Sequence, residues 1–188
     1  MTVWIVLGVI VVGLYAWYAT IISKRNRALE ALSGIDVHLR MRTNVIPNVL
    51  TVAQKFLDHE KTLLTDITEL RTRTDRDYDP KDADAVKAHL DAAQALGARM
   101  GQLMVTVENY PDLKSDATML QAQQTYNETE AQIAAARRFY NSAVSSLNSA
   151  VQIFPGSLIA GIAKVQPMPF YEADEASRAP VAAGDYLK

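Results

Sequence analysis

Residues 35–74 read IDVHLRMRTNVIPNVLTVAQKFLDHEKTLLTDITELRTRT, and their apolar positions recur every three or four residues. Written as heptads, a falls at Ile35, Arg42, Val49, Phe56, Leu63 and Leu70, and d at Leu39, Ile46, Ala53, Glu60, Ile67 and Thr74. Arg42, Glu60 and Thr74 are the polar exceptions. A period near 3.5 excludes a strand, and the length excludes a short buried segment. The stretch predicts a long helix that must bury one seam against partner helices. A mid-helix proline costs about 3 kcal/mol and kinks the helix, so Pro47 is the expected kink. Heptad phase survives across it, from Arg42 and Ile46 to Val49 and Ala53, which favours one continuous helix over two.

Upstream lies an uncharged run that opens at Val3 and closes at Ile22. As a helix it measures about 30 Å, the thickness of bilayer hydrocarbon. Trp4 near one end and Tyr15, Trp17 and Tyr18 near the other suit interfacial aromatic belts. Met1 and Thr2 supply no basic n-region, the run is too long, and no A-x-A site follows. It therefore reads as an uncleaved anchor rather than a signal peptide. Lys24, Arg25 and Arg27 follow at once. By the positive-inside rule the body faces the cytoplasm and the N-terminus lies outside. The same cluster can attract anionic headgroups, at about 1 kcal/mol per residue.

Downstream, the polar stretch 72–82 around Tyr78 and Pro80 ends the first pattern. A second helix carries the seam Val86, Leu90, Ala93, Leu96, Met100, Leu103 and Val107, and the chain turns at Asn109-Tyr110-Pro111-Asp112. A third carries Leu120, Gln123, Tyr126, Glu130, Ile133, Arg137, Tyr140, Val144, Leu147, Val151 and Phe154, and stops at Pro155-Gly156. After a short apolar piece, Pro167, Pro169 and Pro180 exclude regular helix. That tail is either disordered or a strap docked by Phe170 and Tyr171. The expected fold is all-α: a transmembrane helix continuing into an elongated antiparallel bundle of three to four long helices, with an irregular tail. Its segments are residues 1–23 as anchor, 24–165 as bundle and 166–188 as a Pro- and Ala-rich acidic tail. An unbroken helix over residues 24–74 would reach about 75 Å from the bilayer, against about 40 Å for the second helix. This predicts a membrane-proximal stalk whose seam another subunit buries.

The composition limits the chemistry. There is no cysteine among the 188 residues, which removes disulfides, thiolate metal sites and cysteine nucleophiles. The net charge is −2, with nine Lys/Arg against six Asp/Glu over residues 24–73 and ten against fifteen over residues 74–188. Without a basic stripe, nucleic acid is not an expected partner. No G-x-S-x-G, G-x-x-x-x-G-K-[ST] or G-x-G-x-x-G occurs. A di-iron bundle needs Glu-x-x-His, and the residues three before His38, His59 and His89 are Ile35, Phe56 and Val86. His59-Glu60 opens an H-E-x-x-H, but Leu63 occupies the second histidine position. The reading therefore names no catalytic, cofactor-binding or metal-ligating residue and expects no cofactor. The informative polar residues are Arg42, Glu60, Glu130 and Arg137, each on an otherwise apolar seam. A buried unpaired charge costs several kcal/mol, which predicts a Glu60 to Arg137 pair that fixes helix register.

Taken together, Ile35-Asp36-Val37, Leu39-Arg40 with Arg42, Ile46-Pro47-Asn48-Val49, His59-Glu60, Tyr110-Pro111-Asp112-Leu113-Lys114, Thr129-Glu130 with Ile133-Ala134 and Arg137, Tyr140-Asn141, Asn148, and Phe154-Pro155 with Leu158-Ile159-Ala160 resemble the LemA family. The resemblance runs in order from about residue 26 into the tail. His38, Met41 and Leu147 depart from the usual glutamine, basic and aromatic residues. The resemblance implies a single-pass bacterial membrane protein with a helical-bundle domain and no established enzymatic activity. One branch of that family is associated with magnetosome membranes, and other members appear beside membrane-protease and envelope-maintenance proteins. The expected function is a non-enzymatic scaffold at the bacterial inner membrane, homo-oligomeric through its bundle. The alternative is an adaptor for a membrane protease or envelope quality-control system, with another membrane protein as partner.

Overall fold

The computed structural model describes residues 1–57 and 59–172, and over these every regular element is a helix. Helix α1 spans Thr2–Ala53, α2 Lys61–Thr74, α3 Ala83–Val107, α4 Pro111–Lys114, α5 Ala117–Gln152 and α6 Gly156–Ala163. The N-terminal part of α1 is long and apolar enough to cross a membrane, with a mean hydropathy of 2.3 over its best 18 residues. Side chains there are exposed through residue 20, and at Ile21 the helix enters the core. No stop signal separates the two parts, so the candidate span and the bundle share one helix.

Helices α1, α2, α3 and α5 alternate in direction. Arg42 of α1 meets Glu130 of α5 and, nearer the span, Lys24 meets Ser146, which fixes those two helices as antiparallel. Arg71 of α2 reaches back to Thr43, and His89 of α3 lies beside Asp36. The seam predicted for the second helix is realised in full, for Val86, Leu90, Ala93, Leu96, Met100, Leu103 and Val107 are all buried. Asp82 and Asp116 cap α3 and α5 by accepting the amides two and three residues on, the usual aspartate remedy for orphan N–H groups.

The first helix departs from expectation beyond Pro47. It passes that proline unbroken, as the heptad phase predicts, but ends at Ala53. Turns follow, Leu57 inserts into the core while Phe56 is exposed, and α2 doubles back. Phase survives because α2 turns its own apolar face, with Leu63, Leu64 and Ile67, to the core that Ile46, Val49 and Ala53 already enter. No stalk results. Ile35, Leu39, Ile46 and Val49 are buried within this single chain, so the seam needs no second subunit to cover it.

The tail begins as a strap. Val165 and Tyr171 are buried while Phe170 is exposed, so Tyr171 is the docking residue of the two. Pro180 and the rest of the acidic tail from residue 173 lie outside the described residues.

Candidate functional site

Two apolar clusters share the core. The one nearer the span contains Ile21, Leu32, Ile35, Leu39, Val86, Tyr140, Val144 and Leu147. The distal one contains Ile46, Val49, Leu57, Ile67, Leu96, Met100, Leu103 and Tyr126. Between them lies a polar layer formed by Arg42, Thr43, Thr129 and Glu130. Arg42 is only 1 % exposed, and its Nη1 donates to Glu130 Oε1 at 3.2 Å. Its Nη2 donates to the Ala93 carbonyl, and its Nε is buried without a partner. Glu130 is 35 % exposed at the mouth of a cleft of about 170 Å³ whose walls include Gly97, Arg137 and Tyr171. A Cβ on Gly97 would lie 3.0 Å from Arg42 Nη1, so any side chain there would press on the guanidinium where it crosses α3. Burial pushes the Tyr126 hydroxyl up, and the nearby Glu130 carboxylate adds to the shift.

Three of the four singled-out residues therefore meet in one cleft, but the pairing differs from expectation. The ion pair joins Arg42 to Glu130, not Glu60 to Arg137. Glu60 stands at the N-cap position of α2, beyond the distal end of α1, and its side chain makes no capping hydrogen bond. Arg137 lies toward the span, with its guanidinium 5.8 Å from the Tyr171 ring and Nη1 donating to the Glu172 carbonyl. The register that sets Arg42 against Glu130 and Lys24 against Ser146 puts Arg137 level with about residue 34, so Glu60, beyond the end of α1, is out of its reach.

Two asparagines that seam reasoning passed over hold the strap. Asn148 Nδ2 donates to the Met168 carbonyl while its Oδ1 accepts the Met168 N–H, each at 2.9 Å. Asn141 does the same for Tyr171. The Tyr140 hydroxyl donates to the Pro169 carbonyl at 2.7 Å. Asn141 and Asn148 stand seven apart, two turns on one face of α5, a spacing that marks such a clamp. Each amide replaces a missing strand neighbour for one strap residue.

A second polar cluster pins the connection before α3. The Tyr78 hydroxyl donates to Asp36 Oδ2 at 2.7 Å, His89 Nε2 lies 3.2 Å from Asp36 Oδ1, and the Tyr78 and His89 rings stack at 4.2 Å. Burial and the Asp36 carboxylate both push the Tyr78 hydroxyl up, which keeps it a proton donor. Nearer the span, Lys24 donates to Ser146 Oγ and the Arg27 guanidinium lies 6.0 Å from the Phe139 ring, while Arg25 shares a cleft with Lys164. Among the described residues no three His, Asp or Glu side chains converge as a metal site would require.

The LemA family profile matches residues 31–183, which takes in the bundle and the strap. Magnetosome protein MamQ 1 and Magnetosome protein MamQ 2 of Paramagnetospirillum magneticum (strain AMB-1) are each 30% identical to the chain over 95 residues, half of this chain and 35% of theirs. The chain thus matches about a third of the length of these curated relatives. With the profile covering most of the residues, the chain belongs to the LemA family.

Proposed function

We propose that this protein is a membrane-anchored, non-enzymatic scaffold that self-associates at the bacterial inner membrane. Its N-terminus lies outside and its bundle in the cytoplasm. The observation that carries the reading is the continuity of α1, whose apolar first turns and buried bundle seam belong to one helix. Such a helix holds the bundle at a fixed height and angle above the bilayer, which is useful to an assembly platform and immaterial to a tethered enzyme. Lys24, Arg25 and Arg27 at the span's exit support the orientation. That the two MamQ relatives are magnetosome proteins supports a role in assembly of this kind. Because the seam is closed within the chain, the surfaces left for a second copy are the span and outer positions such as Val37, Met41 and Leu120.

Light scattering on the full-length protein in mild detergent tests this. The scaffold reading expects a discrete multiple of the 20.7 kDa chain. A monodisperse monomer across the accessible concentration range overturns self-association.

A further inference from the structure

The end of α5 and the whole of α6 carry a patch of large apolar side chains on their outer surface. Ile153 is 63 %, Phe154 74 %, Leu158 63 % and Ile162 85 % exposed. Residues 152–163 contain no charge. The opposite face of α6 is filled, since Ile159 and Ala160 pack into the cluster that holds Ile21 of α1. The helix is thus apolar on both sides, one covered by protein and one by nothing among the described residues.

The register of the bundle says where this patch lies. Arg42 faces Glu130 and Lys24 faces Ser146. Carrying the same antiparallel register six residues on from Ser146 brings Gln152 level with Tyr18, inside the apolar run that closes at Ile22. Contact agrees, because a Cβ added to Gly156 would collide with the Ala150 carbonyl and lie 2.9 Å from Trp17 Nε1. Trp17 precedes Ile22 by about 7 Å of helix. α6 leaves α5 at 99°, and α5 runs antiparallel to α1, so α6 lies across the axis of the span. A helix across that axis at that depth lies along the boundary between headgroups and acyl chains. Basic groups flank it on the bundle side. Lys164, exposed at the end of α6, shares a cleft with Arg25, and Arg27 is exposed three residues nearer the bundle's distal end than Lys24.

We propose that α6, with the preceding elbow Ile153-Phe154, is a second membrane contact: an interfacial helix whose Ile153, Phe154, Leu158 and Ile162 enter the acyl region of the leaflet from which α1 emerges. The inference rests on the reading of residues 3–22 as a membrane span. Its consequence is that the protein touches the bilayer at two points joined by a rigid core, so the bundle can neither swivel about the span nor tilt freely.

The absence of cysteine makes the test clean. Environment-sensitive fluorophores are attached to Leu158→Cys, Ile162→Cys, Val105→Cys and Val9→Cys in the full-length chain, reconstituted in vesicles of phosphatidylcholine and phosphatidylglycerol. All four side chains are exposed, so the substitutions leave the core untouched. The labels at residues 158 and 162 should be quenched by lipids carrying a nitroxide high on the acyl chain. Iodide should quench them several-fold less than the label at 105. Iodide access at 158 and 162 equal to that at 105, with the label at 9 shielded, overturns the interfacial helix and leaves the span intact. Iodide access at 9 as well overturns both. Shielding at 158 and 162 that requires a high protein-to-lipid ratio and comes without lipid quenching means a second copy covers the patch, and that also overturns the proposal.

Discussion

Arg71 donates its Nε to the carbonyl oxygen of Thr43 at 3.0 Å, the oxygen that Pro47, four residues on, leaves without a helical donor. Proline has no N–H to give, and Thr43 is buried, so an unsatisfied carbonyl there would cost about 1–3 kcal/mol. α2 supplies the missing donor. The proline in α1 and the arginine in α2 are thus one device that binds the returning helix to the first.

The device predicts a coupling. Arg71→Ala should destabilise the protein by about 1–2 kcal/mol. In a Pro47→Ala background, where residue 47 regains its N–H, the same change should cost less than half as much. A double-mutant cycle on thermal melts in mild detergent measures it, and strict additivity would show that the bond to Thr43 does not compensate for the proline.

The polar layer predicts an asymmetric response. Glu130→Ala leaves the Arg42 guanidinium buried without its carboxylate partner. The loss should be about 1–3 kcal/mol, below the range for fully buried pairs because Glu130 is partly exposed. Arg42→Met with Glu130→Gln should recover most of it, since no charge is then stranded. Swapping the two charges should not, because glutamate at 42 would meet the Ala93 carbonyl oxygen. Chemical denaturation of the three variants beside the parent protein decides between these outcomes.

The strap should open locally when its clamps are cut. Asn148→Ala and Asn141→Ala each remove two backbone partners, at about 1–2 kcal/mol per site. Hydrogen exchange should accelerate at the amides of Met168 and Tyr171 respectively, while the amides of α3 stay protected. Equal acceleration throughout the bundle would show that the strap unfolds only with the whole.

Four tyrosines predict alkaline instability. Burial raises Tyr78, Tyr126, Tyr140 and Tyr171 above their ordinary value. A folded-state value above the unfolded one means the stabilisation is complete below the unfolded value, near 10. It is then lost as pH rises, because the unfolded chain releases protons that the folded one retains. Stability should fall from about pH 10 upward, with these four hydroxyls ionising only as the helices melt. Tyrosinate absorbance followed beside circular dichroism checks it.

Periodicity alone was enough to read α3, the middle of α5 from Tyr126 to Val151 and the continuity of α1 past Pro47, because burial of one helical face imposes a regular period. It missed the ends of the α5 seam, where Leu120 and Phe154 are exposed and Met119 and Ala122 are buried instead. It could not reveal the turn after Ala53. No glycine or proline occurs in residues 54–60, and a helix that reverses to pack on the same core resumes the same phase. That one hidden turn misdirected the stalk, while the Glu60 to Arg137 pair failed on register, since Arg137 stands level with about residue 34 of α1. Arg42 and Glu130 were visible as polar intruders, yet choosing partners among four charged residues requires knowing which helix levels meet. The Asn141 and Asn148 clamp was present as a two-turn spacing but acquires meaning only once the strap lies beside it.

The central claim is that span and bundle form one rigid helical unit, and a single distance tests it most directly. Spin labels at Val9→Cys and Asn44→Cys, both exposed positions of α1, should lie about 52 Å apart along a continuous helix. Measured by pulsed electron resonance on the full-length protein in lipid nanodiscs, the account predicts one narrow distribution near that value. A broad distribution, or one centred well below it, would mean that the chain bends between membrane and bundle, and would contradict the account.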